Sequence, residues 1–227
     1  MSAERSLSER VTPAVSPAPA SAAHIEPKAA WHGPRSIHRH LTRPIVEQLN
    51  RVGAHSVLDL GCGSGWFTGT LDRCGFEVVG ADIDEDGLTQ ARREYPHLHF
   101  HQLDATQALQ PGLTLRFDAV VAIDVIDHVA MPRRLVEVAV EALRPGGLLV
   151  VVAPYHGYVK TLALALAGRW HERFDPLLER GRLKAFSRES LTGLMSGFDL
   201  SDVRCETIGR IPPLARAIMV AATTAAR

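Results

Sequence analysis

The sequence predicts an α/β fold built on one doubly wound, mostly parallel sheet. Short apolar segments alternate with segments of helical periodicity along most of the chain, and this alternation is typical of a parallel sheet covered by helices on both faces. A glycine-rich turn follows the first apolar segment, in VLDLGCGSG at 57–65, and an aspartate ends the second, in VVGADID at 78–84. Because such sheets bind ligands at the carboxyl ends of their strands, both segments are candidate binding elements.

The N-terminal elements begin this alternation. A helix is predicted over 36–50, where apolar residues recur with helical spacing and Pro44 lies near the start. The apolar run at 56–60 predicts the first strand. The glycine turn then leads into a helix that continues to Cys74.

The middle of the chain repeats the pattern. Helices are predicted at 85–94 and 132–143, and the sequence RPGG after the second of them stops that helix and makes a turn. The strands predicted in this part of the chain cover 77–81, 99–103, 117–123 and 148–153.

The alternation stops after the fifth strand. Residues 155–186 are mixed in character and contain several aromatic side chains, so we predict a partly helical insert that forms a lid and selects the substrate. A helix at 187–195 and two strands, at 199–207 and 215–222, complete the predicted sheet.

Composition limits the domain organisation and the partners. A chain of 227 residues holds one domain with a substantial core; residues 1–30 are predicted to be a disordered tail, because Ser, Ala and Pro predominate there, and 31–227 the domain. Lys plus Arg and Asp plus Glu both number 25, so we expect no nucleic-acid partner. The sequence contains no signal that indicates the oligomeric state.

The cysteines and the apolar runs predict a cytoplasmic protein. Three cysteines without paired spacing argue against a disulfide framework or a zinc site and favour a reducing compartment. No apolar run reaches the roughly 18 to 20 residues that a membrane span needs.

The spacing of the glycines selects the ligand of the first turn. A dinucleotide-binding turn has the pattern G-x-G-x-x-G, which would place its third glycine where this chain has Trp66. The glycines instead occupy positions 61, 63 and 65, and no phosphate-binding G-x-x-x-x-G-K-S/T loop is present. The turn therefore favours a ligand other than a pyridine dinucleotide.

Two carboxylates indicate which ligand that is. Asp59 lies in the strand just before the glycines, where it suits a ligand with an ammonium group, such as S-adenosylmethionine. Asp82 ends the second strand and can accept hydrogen bonds from both ribose hydroxyls. An NAD site would also use that acid, so the D-x-G-x-G-x-G spacing, and not Asp82 alone, discriminates.

At these motifs the chain resembles the class I S-adenosylmethionine-dependent methyltransferases, and within them the ubiquinone-biosynthesis O-methyltransferases. The resemblance covers residues 56–153 well and implies a Rossmann-like, seven-stranded sheet whose last strand is antiparallel. It also implies roles for individual residues: Gly61, Cys62, Gly63 and Gly65 form the cofactor loop, Asp59 lies near the methionine amino group, Asp82 holds the ribose, Ile83 packs on adenine, Asp104 and Ala105 recognise the adenine edge, Ile123 borders the methionine portion, and Arg43 or Arg39 meets the cofactor carboxylate.

The segment after the fourth strand, IDVIDHV at 123–129, has two interpretations. If a helix starts there, Asp124, Asp127 and His128 share one face and suit a Mg²⁺ ion that lowers the pKa of a phenolic oxygen, with Asp127 and His128 as catalytic residues. The ubiquinone-type enzymes carry Glu-x-x-Glu-His at this place. Alternatively, the two acids cap and stabilise a helix start and His128 only packs.

We therefore predict a methyltransferase that acts on a small molecule, by O-methylation of a hydroxylated aromatic or quinol. The alternatives are N- or C-methylation of another small metabolite, and a non-catalytic cofactor-binding module. The stretch TLALALAG at 161–168 is predicted either to pack as an ordinary helix or to make peripheral contact with a membrane.

Overall fold

The computed structural model describes residues 38–109, 113–114, 117–155, 158–168, 184–209 and 215–226. The predicted tail at 1–30 lies outside these residues, as does much of the predicted insert. The helices are α1 (His38–Arg51), α2 (Trp66–Arg73), α3 (Glu85–Glu94), α4 (Pro132–Ala142), α5 (Tyr158–Leu166) and α6 (Arg188–Met195). The strands are β1 (Ser56–Leu60), β2 (Glu77–Asp82), β3 (His99–Gln102), β4 (Phe117–Ile123), β5 (Leu143–Pro154), β6 (Leu200–Ile208) and β7 (Ala217–Thr224).

The strands form one seven-stranded sheet in the order β3-β2-β1-β4-β5-β7-β6. Neighbours from β3 to β5 pair in parallel, whereas β7 pairs antiparallel with both β5 and β6. The predicted doubly wound sheet with an antiparallel last strand is confirmed. The strand order reverses at β1, between β2 and β4, and this reversal opens a crevice at the carboxyl ends of those strands.

Helices cover both faces of the sheet because alternate strand residues point to opposite sides. Leu58 and Val120 pack in one core with residues of α4 and α6, whereas Val57 and Val121 pack in a second core with residues of α1 and α2. All four side chains are fully buried. The near-continuous apolar runs of the sequence are therefore strands buried on both faces.

The start of β5 differs from the prediction. The sequence predicts a turn after α4 and a strand from Leu148, but β5 begins at Leu143, which pairs with Phe117. The register then shifts, and the next pair joins Ala119 to Leu148. Gly146 has a φ of 78°, so the predicted turn is present as an irregularity within the strand.

Part of the predicted insert is described as α5. Leu162 and Leu166 on this helix are 43% and 80% exposed, so neither is buried as in an ordinary packing helix. Among the described residues, no helix has the length and apolar character needed to cross a membrane. Peripheral contact with a membrane stays a prediction.

Candidate functional site

The turn after β1 is folded onto the end of β2. The N–H groups of Gly61 and Cys62 donate to the carbonyl of Ala81 at 2.7 and 3.0 Å. The N–H of Gly63 donates to Oδ2 of Asp82 at 2.7 Å. The turn is thus held in shape by β2, and these three amides bind protein atoms.

Two of the glycines are required by close neighbours. Gly61 has a φ of 85°, and a Cβ there would lie 2.1 Å from Cγ2 of Val125. Gly65 has a φ of 77°, caps the N-terminus of α2, and would place a Cβ 3.0 Å from both Ala91 and the Phe100 ring. Left-handed backbone and tight packing both exclude larger residues at these positions.

Asp82 has a fixed carboxylate beside an open apolar surface. Its Oδ1 accepts from the N–H of Asp84 at 2.9 Å, and its Oδ2 accepts from Gly63. Each carboxylate oxygen has two lone pairs, so both oxygens keep capacity for a further donor. The next residue, Ile83, is 46% exposed and offers an apolar face next to this carboxylate.

Asp59 is buried at the base of the turn. The hydroxyl of Thr68, on α2, donates to its Oδ2 at 2.7 Å, and both residues are almost fully buried. Cys62 lies within the field of both carboxylates: burial first, and then the charges of Asp59 and Asp82, raise the pKa of its thiol well above the usual range. The thiol therefore stays protonated at neutral pH and is no nucleophile.

The segment after β3 forms a turn beside β2. Oδ1 of Asp104 accepts from the N–H and the hydroxyl of Thr106, at 2.9 and 2.7 Å. Leu103 donates its N–H to the carbonyl of Asp82 at 2.9 Å, and Ala105 is buried. These contacts attach the Asp104 turn to the strand end that carries Asp82.

The segment after β4 is a non-helical loop, and helix α4 starts only at Pro132. Asp127 is 1% exposed, whereas His128 is exposed; the two side chains approach to 3.7 Å, from Nε2 to Oδ2. The backbone carbonyl of Asp127 accepts from the N–H of Lys184 at 3.1 Å. This bond ties the loop to Lys184, near the C-terminal end of the predicted insert.

A match to a protein-family model shows which family of proteins has this arrangement of turn, strand ends and loop. The family model for a methyltransferase domain matches residues 35–204, which include the glycine turn, Asp82 and the loop after β4. The chain belongs to the methyltransferase domain family. The predicted membership of the class I S-adenosylmethionine-dependent methyltransferases is thereby confirmed.

Curated relatives of this methyltransferase carry one recurring name. The chain is 31% identical over 136 residues to a ubiquinone biosynthesis O-methyltransferase of Bradyrhizobium diazoefficiens, covering 56% of the chain and 53% of that protein. It is 28% identical over 180 residues to one of Cereibacter sphaeroides, covering 70% and 72%. The chain spans about half the length of several of these relatives, at 45% to 53%.

Solved methyltransferase structures share the fold. The magnesium protoporphyrin IX methyltransferase of Synechocystis PCC 6803 with bound SAH superposes with a TM-score of 0.63 at 17% identity, covering 83% of this chain and 84% of that one. The methyltransferase domain of bacterial CtHen1 superposes with a TM-score of 0.62 at 22% identity, covering 82% and 99%.

The predicted metal site does not fit this methyltransferase structure. Within the described residues, which include Asp124, Asp127 and His128, no group of three or more His, Cys, Asp or Glu side chains could hold a metal ion. The prediction required the three residues to share a helical face. Because the loop is not helical, Asp127 turns into the core and His128 toward solvent.

The structure places the side chain of Arg43 on the exposed face of α1. Leu41 faces the core on α1, and Arg43 follows it by about 200° around the helix, so its side chain is 89% exposed. It donates to Glu47 at 2.8 Å, and this pair raises the pKa of the guanidinium. The side chain of Arg39, the alternative, lies outside the described residues.

Three contacts of the methyltransferase site were missed from the sequence. They are the hydrogen bond from Thr68 to Asp59, the contact of Val125 with Gly61, and the support of Gly65 by Phe100. Each partner is separated from its target by several residues or elements. No local pattern marks such pairs, so only the folded chain shows them.

Proposed function

We propose that this protein transfers a methyl group from S-adenosylmethionine to the hydroxyl of a small aromatic or quinol acceptor. The observation that carries the proposal is the fixed carboxylate of Asp82 beside the exposed face of Ile83, at the end of β2. Such a pair suits a nucleoside, since the ribose hydroxyls donate hydrogen bonds and the flat face of the base packs against an apolar side chain. The recurring name among the relatives supports an oxygen as the methylated atom.

We assign the carboxylate of Asp59, in β1, to the methionine end of the ligand. Asp59 is buried, and its Oδ2 accepts a hydrogen bond from the hydroxyl of Thr68. The fold therefore fixes the position of this carboxylate and shields it from solvent. A buried carboxylate favours a cationic partner, as the methionine ammonium is. We assign Ile123, at the end of β4, to the same end of the ligand, and the Asp104 turn with Ala105 to the adenine edge.

The residues of the chain mostly align the reactants and remove a proton. S-adenosylmethionine supplies, when bound, a methyl carbon to which the acceptor oxygen forms a bond while the carbon–sulfur bond breaks and leaves its electron pair on sulfur. His128 is exposed on the loop after β4 and takes the hydroxyl proton. Asp127, buried beside it, positions the imidazole.

We also propose residues 31–227 as the extent of the domain, with 155–186 as the substrate-selecting insert. The family match at 35–204 supports the N-terminal boundary. The bond from Lys184 to Asp127 supports the insert, since it joins the returning chain to the loop that carries His128.

An activity assay with a panel of acceptors tests the proposed function. The purified protein, S-adenosylmethionine and a panel of phenols, catechols, quinols and amines are incubated, and S-adenosylhomocysteine and methylated products are identified by mass spectrometry. We expect an O-methyl ether from at least one hydroxylated acceptor. Cofactor uptake without product from any acceptor, or methylation of nitrogen or carbon alone, contradicts the proposal.

Replacing Asp82 tests the assignment of the ribose site. Asp82→Asn removes a charged hydrogen-bond acceptor, so we expect the Kd for S-adenosylhomocysteine to rise by about tenfold or more. Asp86→Asn, on the exposed first turn of α3, is the matched control and leaves the Kd unchanged. Equal affinities of the two variants in calorimetry remove Asp82 from the site.

A further inference from the structure

One oxygen of the Asp104 carboxylate is fully occupied by a single neighbouring residue. The N–H and the hydroxyl of Thr106 both donate to Oδ1 of Asp104, at 2.9 and 2.7 Å. A carboxylate oxygen has two lone pairs, and these two bonds use both. Among the described residues no group donates to Oδ2, so this is the oxygen of the half-buried side chain that stays available to a ligand.

The next residue adds a hydrogen-bond donor beside this acceptor. In the part of the chain that the structure describes, the N–H of Ala105 donates to no protein group, although the residue is only 9% exposed. Buried amides are nearly always hydrogen-bonded, so an amide of this kind needs a ligand or a water molecule. The turn after β3 thus offers a carboxylate oxygen and an N–H on consecutive residues.

Hydrogen bonds of the main chain hold this turn in place. The N–H of Gln107 donates to the carbonyl of Asp104 at 2.9 Å, and Nε of Arg134, on α4, donates to the carbonyl of Thr106 at 3.4 Å. The Arg134 guanidinium also forms an ion pair with Glu137. Because these bonds use main-chain atoms of the turn, its backbone is retained when the hydroxyl of Thr106 is removed.

From this arrangement we propose that Thr106 orients Asp104 to distinguish the base of the cofactor. The proposal rests on the proposed function, in which the Asp104 turn binds the adenine edge. With Oδ1 held by Thr106, Oδ2 of Asp104 accepts from the exocyclic amino group of adenine, and the N–H of Ala105 donates to the adjacent ring nitrogen. Thr106 acts through Asp104 and is therefore a positioning residue.

The hydrogen-bonding pattern of the base makes this orientation selective. Adenine has a donor in its amino group and an acceptor in the ring nitrogen beside it, which match the Asp104 carboxylate and the Ala105 amide. Hypoxanthine has an oxygen in place of the amino group and a proton on that ring nitrogen, so both contacts are mismatched, and mismatched polar groups discriminate strongly between ligands. Without the hydroxyl of Thr106 the carboxylate is free to turn toward the ring N–H of hypoxanthine, and the selectivity falls.

Equilibrium binding to the purified full chain tests the role of Thr106 without requiring turnover. The probes are S-adenosylhomocysteine and S-inosylhomocysteine, whose bases are adenine and hypoxanthine, titrated by calorimetry at neutral pH. We expect the unaltered protein to bind the adenosyl form at least about tenfold more tightly, as a hydrogen bond to a charged group provides. Thr106→Val, which keeps the shape of the side chain and loses the hydroxyl, lowers this ratio at least about threefold.

Two further variants control for structural effects of the substitution. Thr106→Ser restores the hydroxyl and keeps the ratio of the unaltered protein to within about twofold. Thr70→Val is the matched control, because the hydroxyl of Thr70 donates to the carbonyl of Trp66 within α2, at 2.8 Å, and its removal leaves the ratio unchanged. If Thr106→Val does not fold, Thr106→Ala is used with the same expected fall in the ratio.

A purely structural role for Thr106 weakens both ligands equally and leaves the ratio unchanged, which overturns the proposal. A ratio near unity in the unaltered protein, an equal fall in Thr106→Ser or in Thr70→Val, or no binding of S-adenosylhomocysteine also overturns it. The proposed function fails separately. A protein that shows the expected ratios but methylates no hydroxyl in the acceptor panel contradicts O-methylation and leaves the role of Thr106 intact.

Discussion

At the scale of single residues, the glycine turn after β1 depends on backbone freedom and on space. Gly61 needs both, because its φ is 85° and Val125 occupies the position of a side chain. Gly53 needs only backbone freedom, because its φ is 64° and a Cβ there would meet nothing within 4 Å. Alanine variants at these two positions therefore distinguish the effect of backbone strain from that of a steric conflict.

We expect Gly61→Ala to destabilise the protein more than Gly53→Ala. Left-handed strain costs each variant about 1–2 kcal/mol, and the conflict with Val125 adds about 1–3 kcal/mol to Gly61→Ala alone. Urea unfolding measures the difference. Calorimetry with S-adenosylhomocysteine should show weaker binding for Gly61→Ala only; equal losses in both variants would refute the importance of the Val125 contact.

At the scale of elements, α2 and α3 approach closely at one glycine. A Cβ on Gly69, in α2, would lie 2.3 Å from the Tyr95 ring at the end of α3. Gly193, in α6, is exposed and has nothing within 4 Å. Gly69 therefore serves packing, whereas Gly193 has no neighbour that requires a glycine.

Alanine at these two helical glycines should change stability in opposite directions. Gly69→Ala forces the helices apart and destabilises by about 1–3 kcal/mol, while Gly193→Ala gains about 0.5–1 kcal/mol of helix propensity. Thermal and denaturant unfolding measure both. A stabilised Gly69→Ala variant would show that the two helices do not depend on this contact.

One carboxylate joins the starts of three strands. Oδ2 of Asp118, in β4, accepts from the N–H groups of His55 and Ser56 at 3.0 and 2.9 Å, and Oδ1 accepts from Arg144 in β5 at 2.8 Å. Burial alone would raise the pKa of Asp118, but the hydrogen bonds from Ser56 and His55 outweigh it and lower the pKa. The ionised form is therefore the one that stabilises the sheet.

This shift predicts a pH-dependent contribution to stability. A carboxyl whose pKa is lower in the folded protein stabilises above its unfolded pKa of about 4, and the contribution disappears as pH falls through the folded value. The difference in free energy of unfolding between the protein and Asp118→Asn should be constant from pH 7 to about 5 and shrink below about 4. Denaturant titrations across this range measure it; a difference that persists at full size to pH 3 contradicts the assignment.

At the scale of the whole molecule, the fold was predictable because its signals are local. The buried runs at β1, β2 and β4 are strands within one or two residues of the predicted bounds, since β-branched and apolar residues repeat there and turn residues separate them. The glycine spacing in the first turn selected the family. These features depend on neighbours in sequence, which the sequence shows directly.

The loop after β4 was mispredicted because its structure depends on distant contacts. The spacing of Asp124, Asp127 and His128 fits a helical face. However, the backbone of Asp124 is in the left-handed region, and helix α4 begins only at Pro132, eight residues after Asp124. The loop is held because Val125 packs against Gly61 in the glycine turn and the N–H of Lys184 donates to the carbonyl of Asp127. A pattern of acids and a histidine contains no information about such partners.

The central claim is that the crevice at the carboxyl ends of β1 and β2 binds S-adenosylmethionine and its demethylated product, S-adenosylhomocysteine. Isothermal titration of the folded protein with S-adenosylhomocysteine and, separately, with NAD tests it most directly. We expect saturable binding of S-adenosylhomocysteine, weakened in Asp82→Asn, and no binding of NAD. Tight binding of NAD without uptake of S-adenosylhomocysteine would contradict the account.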